Sequence, residues 1–325
     1  MELVCPAGTP ASLHAAVAAG ADVVYCGFRD ATNARNFPGL NFSRAELRDA
    51  VKHAHKHGVH VYLACNTYPQ AGAEEIWHKA VDDAVAIGVD AIILADIGLL
   101  RYARDHHPDA RLHLSVQASA SNEEAIRFYH QEFGVRRVVL PRVLSLDEIR
   151  TLNQRIQVET EVFAFGGMCV MAEGRCSLSS YATGESPNMN GVCSPAAHVH
   201  YEERGDTTVS RLGNFTINIY DSDEKVGYPT LCKGRFRAMD KSGYLFEEPT
   251  SLDVSAMLPE LADAGVSALK IEGRQRGKAY ISQVVGAFRT SLDKIAEGQR
   301  DARSKLSTLS EGQSDTTGAY RRSWQ

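Results

Sequence analysis

Four of the chain's seven cysteines fall in one stretch, spaced Cys169-x6-Cys176-x16-Cys193-x38-Cys232. The first two belong to GGMCVMAEGRC (Gly166–Cys176), where glycines beside the thiols make poor material for a helix or strand. Structural zinc sites usually pair their cysteines only a few residues apart, and no such pair exists here. Iron–sulfur sites accept irregular spacing, because their ligands come from separate loops around a larger group. Glycine-rich turns let backbone N–H groups reach inorganic sulfide, and Arg175, Lys233 and Arg235 are placed in sequence to offset the charge of four thiolates. Spacing alone leaves an iron–sulfur cluster, zinc and unliganded buried thiols all open. Cys5, Cys26 and Cys65 lie in apolar runs and read as packing.

The elements that must position these thiols repeat a rhythm. Short apolar runs at Leu3–Cys5, Asp22–Gly27, His60–Asn66, Asp90–Asp96, Arg111–Ser119, Arg136–Pro141 and Val158–Phe165 alternate with segments of helical period. Such runs suit strands buried on both faces of a parallel sheet. Ser43 with Glu46, Ser121 with Glu124 and Ser145 with Glu148 fit capping boxes, and Thr9–Pro10 fits a helix start. Gly20, Gly58, Gly88, Gly134 and Gly265 stand where helices end. An eighth strand, ALKIEG (Ala268–Gly273), precedes a last amphipathic helix carrying Ile281, Val284, Val285, Phe288, Leu292 and Ile295 on one face.

Eight such units predict an α/β fold, a (β/α)8 TIM-like barrel, with a long cysteine-bearing insertion between strand 7 and helix 7. The barrel is expected over 1–165 and 251–298, the insertion over 166–250 and a tail over 299–325, with helix 7 starting near Ser251. In the tail, either disorder or docking through Tyr320 and Trp324 is expected. An open doubly wound sheet is the competing architecture, but no G-x-G-x-x-G follows an early strand.

In such barrels the reactive groups sit where strands end. The candidates are Tyr25, Asn66 and Gln117 for binding substrate, with Asp96, Arg142, Glu272 and Arg274 for catalysis. Arg142 and Arg274 could clamp a carboxylate, and Glu272 could exchange protons opposite Asp96. Structural ion pairs are the plainer alternative for each. RQRGK (Arg274–Lys278) reads as a solvated basic face, as do His106 and His107 at a helix end. No G-x-S-x-G elbow or H-E-x-x-H helix supplies a serine or zinc peptidase mechanism.

The net charge of −5 gives no general drive toward nucleic acid. No apolar run approaches the roughly 20 residues of a membrane span. MELVCPAGTP lacks the start of a secretory signal, so a cytoplasmic protein is expected, and reduced thiols with it.

The stretch EVFAFGGMCVMAEGRCSLS (Glu161–Ser179) resembles the signature of peptidase family U32. It meets that pattern at Glu161, Phe163, Gly166, Met168, Cys169, Gly174, Cys176 and Ser179, and departs at Gly167, where Ser or Ala is usual. Similarity to the ubiquinone-biosynthesis (UbiU-type) branch of that family runs nearly end to end. It includes Thr32–Phe42, Ser115–His130, Val138–Ser145, Gly227–Arg235 and Lys270–Arg276. The resemblance implies a [4Fe-4S] cluster held by Cys169, Cys176, Cys193 and Cys232. It further implies an enzyme subunit that, with a UbiV-like protein as heterodimer partner, hydroxylates the ring of a prenylated phenol without dioxygen, prephenate donating the hydroxyl. No nucleic acid partner is expected. The alternatives are a non-catalytic Fe–S partner subunit, a U32-type peptidase and a relative of RNA-hydroxylating proteins.

Overall fold

The computed structural model describes residues 1–187, 193–244, 248–299, 306, 309–310 and 314–321. Seven strands open the chain: β1 (Glu2–Pro6), β2 (Val23–Gly27), β3 (His60–Cys65), β4 (Ala91–Leu94), β5 (Leu112–Leu114), β6 (Arg137–Val139) and β7 (Glu159–Gly167). Between them lie α1 (Pro10–Ala18), α2 (Arg44–Lys56), α3 (Glu75–Ile87), α4 (Ile97–His106), α5 (Glu123–Phe133) and α6 (Leu146–Asn153). The insertion holds α7 (Leu178–Thr183) and an antiparallel sheet of β8 (Val199–Arg204), β9 (Thr207–Leu212) and β10 (Phe215–Tyr220). A hairpin of β11 (Arg235–Ala238) and β12 (Lys241–Tyr244) follows. The chain returns through β13 (Thr250–Asp253), α8 (Leu258–Asp263), β14 (Ala268–Ile271), α9 (Lys278–Ala296) and β15 (Ser314–Thr316).

Strand β14 pairs in parallel with both β1 and β7, closing eight parallel strands into the expected barrel. Alternation along each strand sorts side chains between two environments. Val4, Val23, Tyr25, Tyr62, Ala91, Ile93 and Ala268 form a cluster of their own, while most other strand residues join the large core shared with the helices. Local chemistry starts the helices: Thr9 accepts from the Ser12 N–H at 3.1 Å, and the boxes Ser43/Glu46 and Ser145/Glu148 both form. Among the described residues, no helix is long and apolar enough to cross a membrane.

Four expectations are corrected. Helix α5 is capped by Asn122, whose Oδ1 accepts from Ala125 N–H at 2.9 Å; asparagine caps as well as serine, so the Ser121/Glu124 box is displaced by one residue. The run Arg111–Ser119 yields only a three-residue strand, because Ser115 caps a tight turn over Val116–Ala118. Ser251 lies in β13, not in a helix. Strand β7 overhangs the barrel rim, and its last residues pair antiparallel with β13, so the helix waits until Leu258. Arg274 in RQRGK is buried, not solvated. In the tail, β15 extends β13 and the buried Tyr320 donates to the Phe163 carbonyl at 2.8 Å; Trp324 lies outside the described residues.

The barrel interior carries charge. Lys270 Nζ lies 2.5 Å from Glu161 Oε1 and 3.8 Å from the centre of the Tyr25 ring. Arg137, also buried, contacts Glu2 and Glu159 at 2.6 Å and Glu161 at 3.5 Å. Removing one member of such a set leaves an uncompensated buried charge. Glu161→Ala is therefore expected to cost about 3–5 kcal/mol in urea unfolding, with Glu161→Leu/Lys270→Leu together costing much less. Equal losses in the two variants would show that the charges are not coupled.

Candidate active site at the barrel mouth

The overhang of β7 delivers the first cysteine loop onto the rim, and two glycines let it lie flat. Gly166 has φ +128°, and a Cβ there would sit 2.5 Å from Glu272 Cβ. Gly174 has φ +80°, and a Cβ there would fall 1.9 Å from the Gln117 carbonyl oxygen. A side chain at either position would meet both strained backbone and occupied space. Between them, Glu173 turns down into the barrel mouth and meets Arg142.

Arg142, on the loop after β6, is the hub. Its guanidinium bonds the Glu173 carboxylate on one side and Glu272 Oε2, at 2.7 Å, on the other. It lies 3.5 Å above the Phe163 ring, and its Nε has no partner among the described residues. Burial pushes the Glu173 carboxyl up, with Arg142 offsetting only part of the rise. Burial also pushes Glu272 up, but there Arg142, Arg35 and Lys233 outweigh it and hold the group below the usual carboxylate range. The two neighbouring carboxyls are thus pushed in opposite directions while sharing one guanidinium. Tyr320, at the docked C-terminal segment, lies within electrostatic reach of both Arg142 and Glu173.

The remaining candidates divide. Tyr25 donates its hydroxyl to the Ile271 carbonyl at 2.9 Å, just beneath Glu272. Arg274 donates to Asn33 Oδ1 at 2.7 Å, and burial pulls its guanidinium down to about 10. Asn66 bridges Ala34 N–H (3.1 Å) and Ser115 Oγ (3.2 Å) across neighbouring loops. Gln117 has a buried Oε1 with no partner among the described residues, a free acceptor at the mouth. Asp96 is occupied as the N-cap of α4, accepting from Leu99 N–H at 2.8 Å, and among the described residues it does not meet Glu272. Glu173 and Asn33 were not among the sequence candidates, and Tyr320 was expected to dock but given no place at the site. A carboxylate between glycines in a cysteine loop was a visible signal for Glu173; nothing local marked Asn33.

Electrostatic influence links the four insertion cysteines through Cys193. A charge on Cys193 is felt by Cys169, Cys176 and Cys232, and one on Cys176 by Cys232. Their loops are stitched together: Ser179 donates to the Cys193 carbonyl, Ser194 to the Pro229 carbonyl, and Tyr228 to the Ser194 carbonyl at 2.8 Å. Burial pushes the Cys169 thiol up to about 12 and Cys232 up to about 11, and both must lose protons to become ligands. Positive charge is at hand, from Arg142 toward Cys169 and Lys233 toward Cys232. Arg235, expected to help, is instead bound to Glu224 at 2.9–3.0 Å. Among the described residues, no three His, Cys, Asp or Glu side chains form a group that could hold a single metal ion. Cys5, Cys26 and Cys65 are fully buried in the core, as packing requires.

Gly174→Ala is expected to lift the loop off Gln117. Limited proteolysis within Gly166–Cys176 should accelerate at least tenfold while far-UV circular dichroism stays unchanged; an equal cleavage rate would mean that the loop is not held there.

Comparison with known proteins places this arrangement. The chain is 31% identical over 331 residues to the tRNA hydroxylation protein P of Haemophilus influenzae, covering 95% of this chain and 71% of that one. It is 32% identical over 327 residues to the Escherichia coli tRNA hydroxylation protein P, with the same coverages of 95% and 71%. It is also 30% identical to a 23S rRNA 5-hydroxycytidine synthase of Escherichia coli, across 93% of this chain but 40% of that longer one. The model of peptidase family U32 matches residues 8–322, taking in barrel, cysteine loops and docked C-terminal segment alike. The chain belongs to peptidase family U32.

Proposed function

We propose that the protein is the Fe–S subunit of an oxygen-independent hydroxylase that acts on the aromatic ring of ubiquinone precursors. In this reading Cys169, Cys176, Cys193 and Cys232 hold a [4Fe-4S] cluster, a UbiV-like protein is the partner, and prephenate is the hydroxyl donor. The observation that carries the reading is the seating of the cysteine loop on Arg142, Glu173 and Glu272, which puts redox-capable ligands beside proton-handling groups. A cluster bound there would supply one-electron chemistry at the rim. The chain's own residues do the rest. Arg142 fixes both carboxylates, Glu272 stays ionised to accept a proton, and Gln117 Oε1 offers an acceptor to a substrate hydroxyl.

The relatives' names favour RNA as the acceptor of the hydroxyl. The insertion around the cysteines favours an apolar one. Residues 166–250 carry eleven Asp and Glu against eight Lys and Arg, a net −3, which gives phosphate little to neutralise. Seven of the eleven exposed large hydrophobic residues described lie there, among them Met239, Tyr181, Tyr228 and Ile219. Apolar side chains exposed on the insertion suit a prenylated phenol. Among the described residues, the peptidase alternative lacks a nucleophile–base pair at this rim.

The test is anaerobic turnover by the reconstituted protein with a UbiV-like partner and prephenate, offered a prenylated phenol or unmodified tRNA. Ring hydroxylation is expected, with Glu272→Gln slowing it at least a hundredfold while iron content holds. Hydroxylation of the RNA alone would replace the substrate assignment, and full activity of Glu272→Gln would move the chemistry to the partner. Separately, Cys193→Ala should lose acid-labile sulfide and visible absorption and be cut readily between Gly166 and Thr250. Unchanged absorption would remove Cys193 from the ligand set.

A further inference from the structure

Burying a guanidinium without a carboxylate costs several kcal/mol, so buried arginines are normally paired. Arg137 and Arg142 obey: the first contacts Glu2, Glu159 and Glu161, the second Glu173 and Glu272. Arg274 does not. It is 8% exposed, and among the described residues it forms no ion pair. Its hydrogen-bond partner is the neutral Asn33 side chain, at 2.7 Å, and the Tyr25 ring lies 5.6 Å away. Its electrostatic neighbour Arg35 carries the same charge, and Glu272 nearby is already held by Arg142.

The surroundings are built to keep it so. Asn33 Oδ1 also accepts from the Arg35 N–H at 3.0 Å, and Asn33 Nδ2 donates to the Phe28 carbonyl at 3.0 Å, so the amide is fixed at both ends. A Cβ at Gly27 would enter the Asn33 side chain at 2.4 Å, and one at Gly8 would strike the Arg274 carbonyl oxygen at 1.8 Å. Two glycines at the ends of neighbouring strands therefore clear the space in which Asn33 and Arg274 meet. Asn33 engages Nη1 of the guanidinium and supplies no charge to match it, and a planar carboxylate is the group whose shape and charge suit a guanidinium.

We infer that Arg274, oriented by Asn33, is an oxyanion subsite on the β1–β2–β14 side of the mouth, taking the carboxylate of a small organic acid. Arg142, saturated by two carboxylates, is not part of this clamp. The subsite deepens the proposed function, resting on that reading for the ligand's role as hydroxyl donor but not for its binding.

The test is calorimetric titration of the purified full chain, without partner, with prephenate, phenylpyruvate and inorganic phosphate. Both carboxylates are expected to bind, and Arg274→Met to weaken them at least tenfold, with Arg274→Lys in between. The unliganded Arg274→Met protein should melt at the wild-type temperature or above, since an unpaired buried charge is gone. A lower melting temperature with unchanged carboxylate affinity would make Arg274 a structural prop and overturn the inference. Binding of phosphate alone, dependent on Arg274, would overturn the carboxylate assignment in favour of a phosphoryl ligand. Arg274-dependent carboxylate binding without any ring hydroxylation would leave the subsite standing and remove the hydroxylase reading instead.

Discussion

The guanidinium of Arg142 lies flat on the Phe163 ring with a carboxylate at either side, and three distant parts of the chain meet on it. Glu173 brings the cysteine loop, Glu272 brings the end of the last barrel strand, and Phe163 belongs to the strand that overhangs the rim. Arg142 and Glu173 are buried and Glu272 is partly so, and losing one member would strand its partners. That mutual dependence fixes where the cysteine loop sits. Gly174 against Gln117 and Met168 in the main core hold the loop as well.

The arrangement also explains the unequal treatment of charge in the molecule. Deep in the barrel, Lys270 and Arg137 share Glu161, Arg137 also reaches Glu2 and Glu159, and the set has a structural task. At the mouth the charges are matched unevenly: Arg142 is shared between two carboxylates, while among the described residues Arg274 has none. A fold can hold such a mismatch only where a ligand, a proton or a cofactor completes it, which is why the rim and not the barrel floor reads as the chemical end.

The glycines at the rim serve the same end by a different route. Gly166 and Gly174 let the cysteine loop approach strand ends closely, and Gly8 and Gly27 let Asn33 and Arg274 approach each other. At all four positions the neighbour is within the space a Cβ would fill, and at Gly166 and Gly174 the backbone is left-handed as well. Close approach, not flexibility, is what these residues contribute.

The barrel was legible in the sequence because its signals are local. Apolar runs of strand length, capping residues and helix-ending glycines such as Gly88 (φ +86°) act within a few residues of themselves. The cysteine constellation and the rim candidates were legible too, as residue types at strand ends. Their pairing was not. Arg142 meets Glu173 across 31 positions, which the pairing of β6 with β7 brings together, and Arg274 meets Asn33 across 241, a separation that barrel closure spans. Tertiary pairing likewise placed β13 beside the overhang of β7, where a helix was expected, whereas Asp96 was claimed by a contact only three residues away, as the cap of α4. Near-neighbour chemistry writes the elements into the chain; which charge finds a partner, and which is left without one, is decided only when the first and last strands meet.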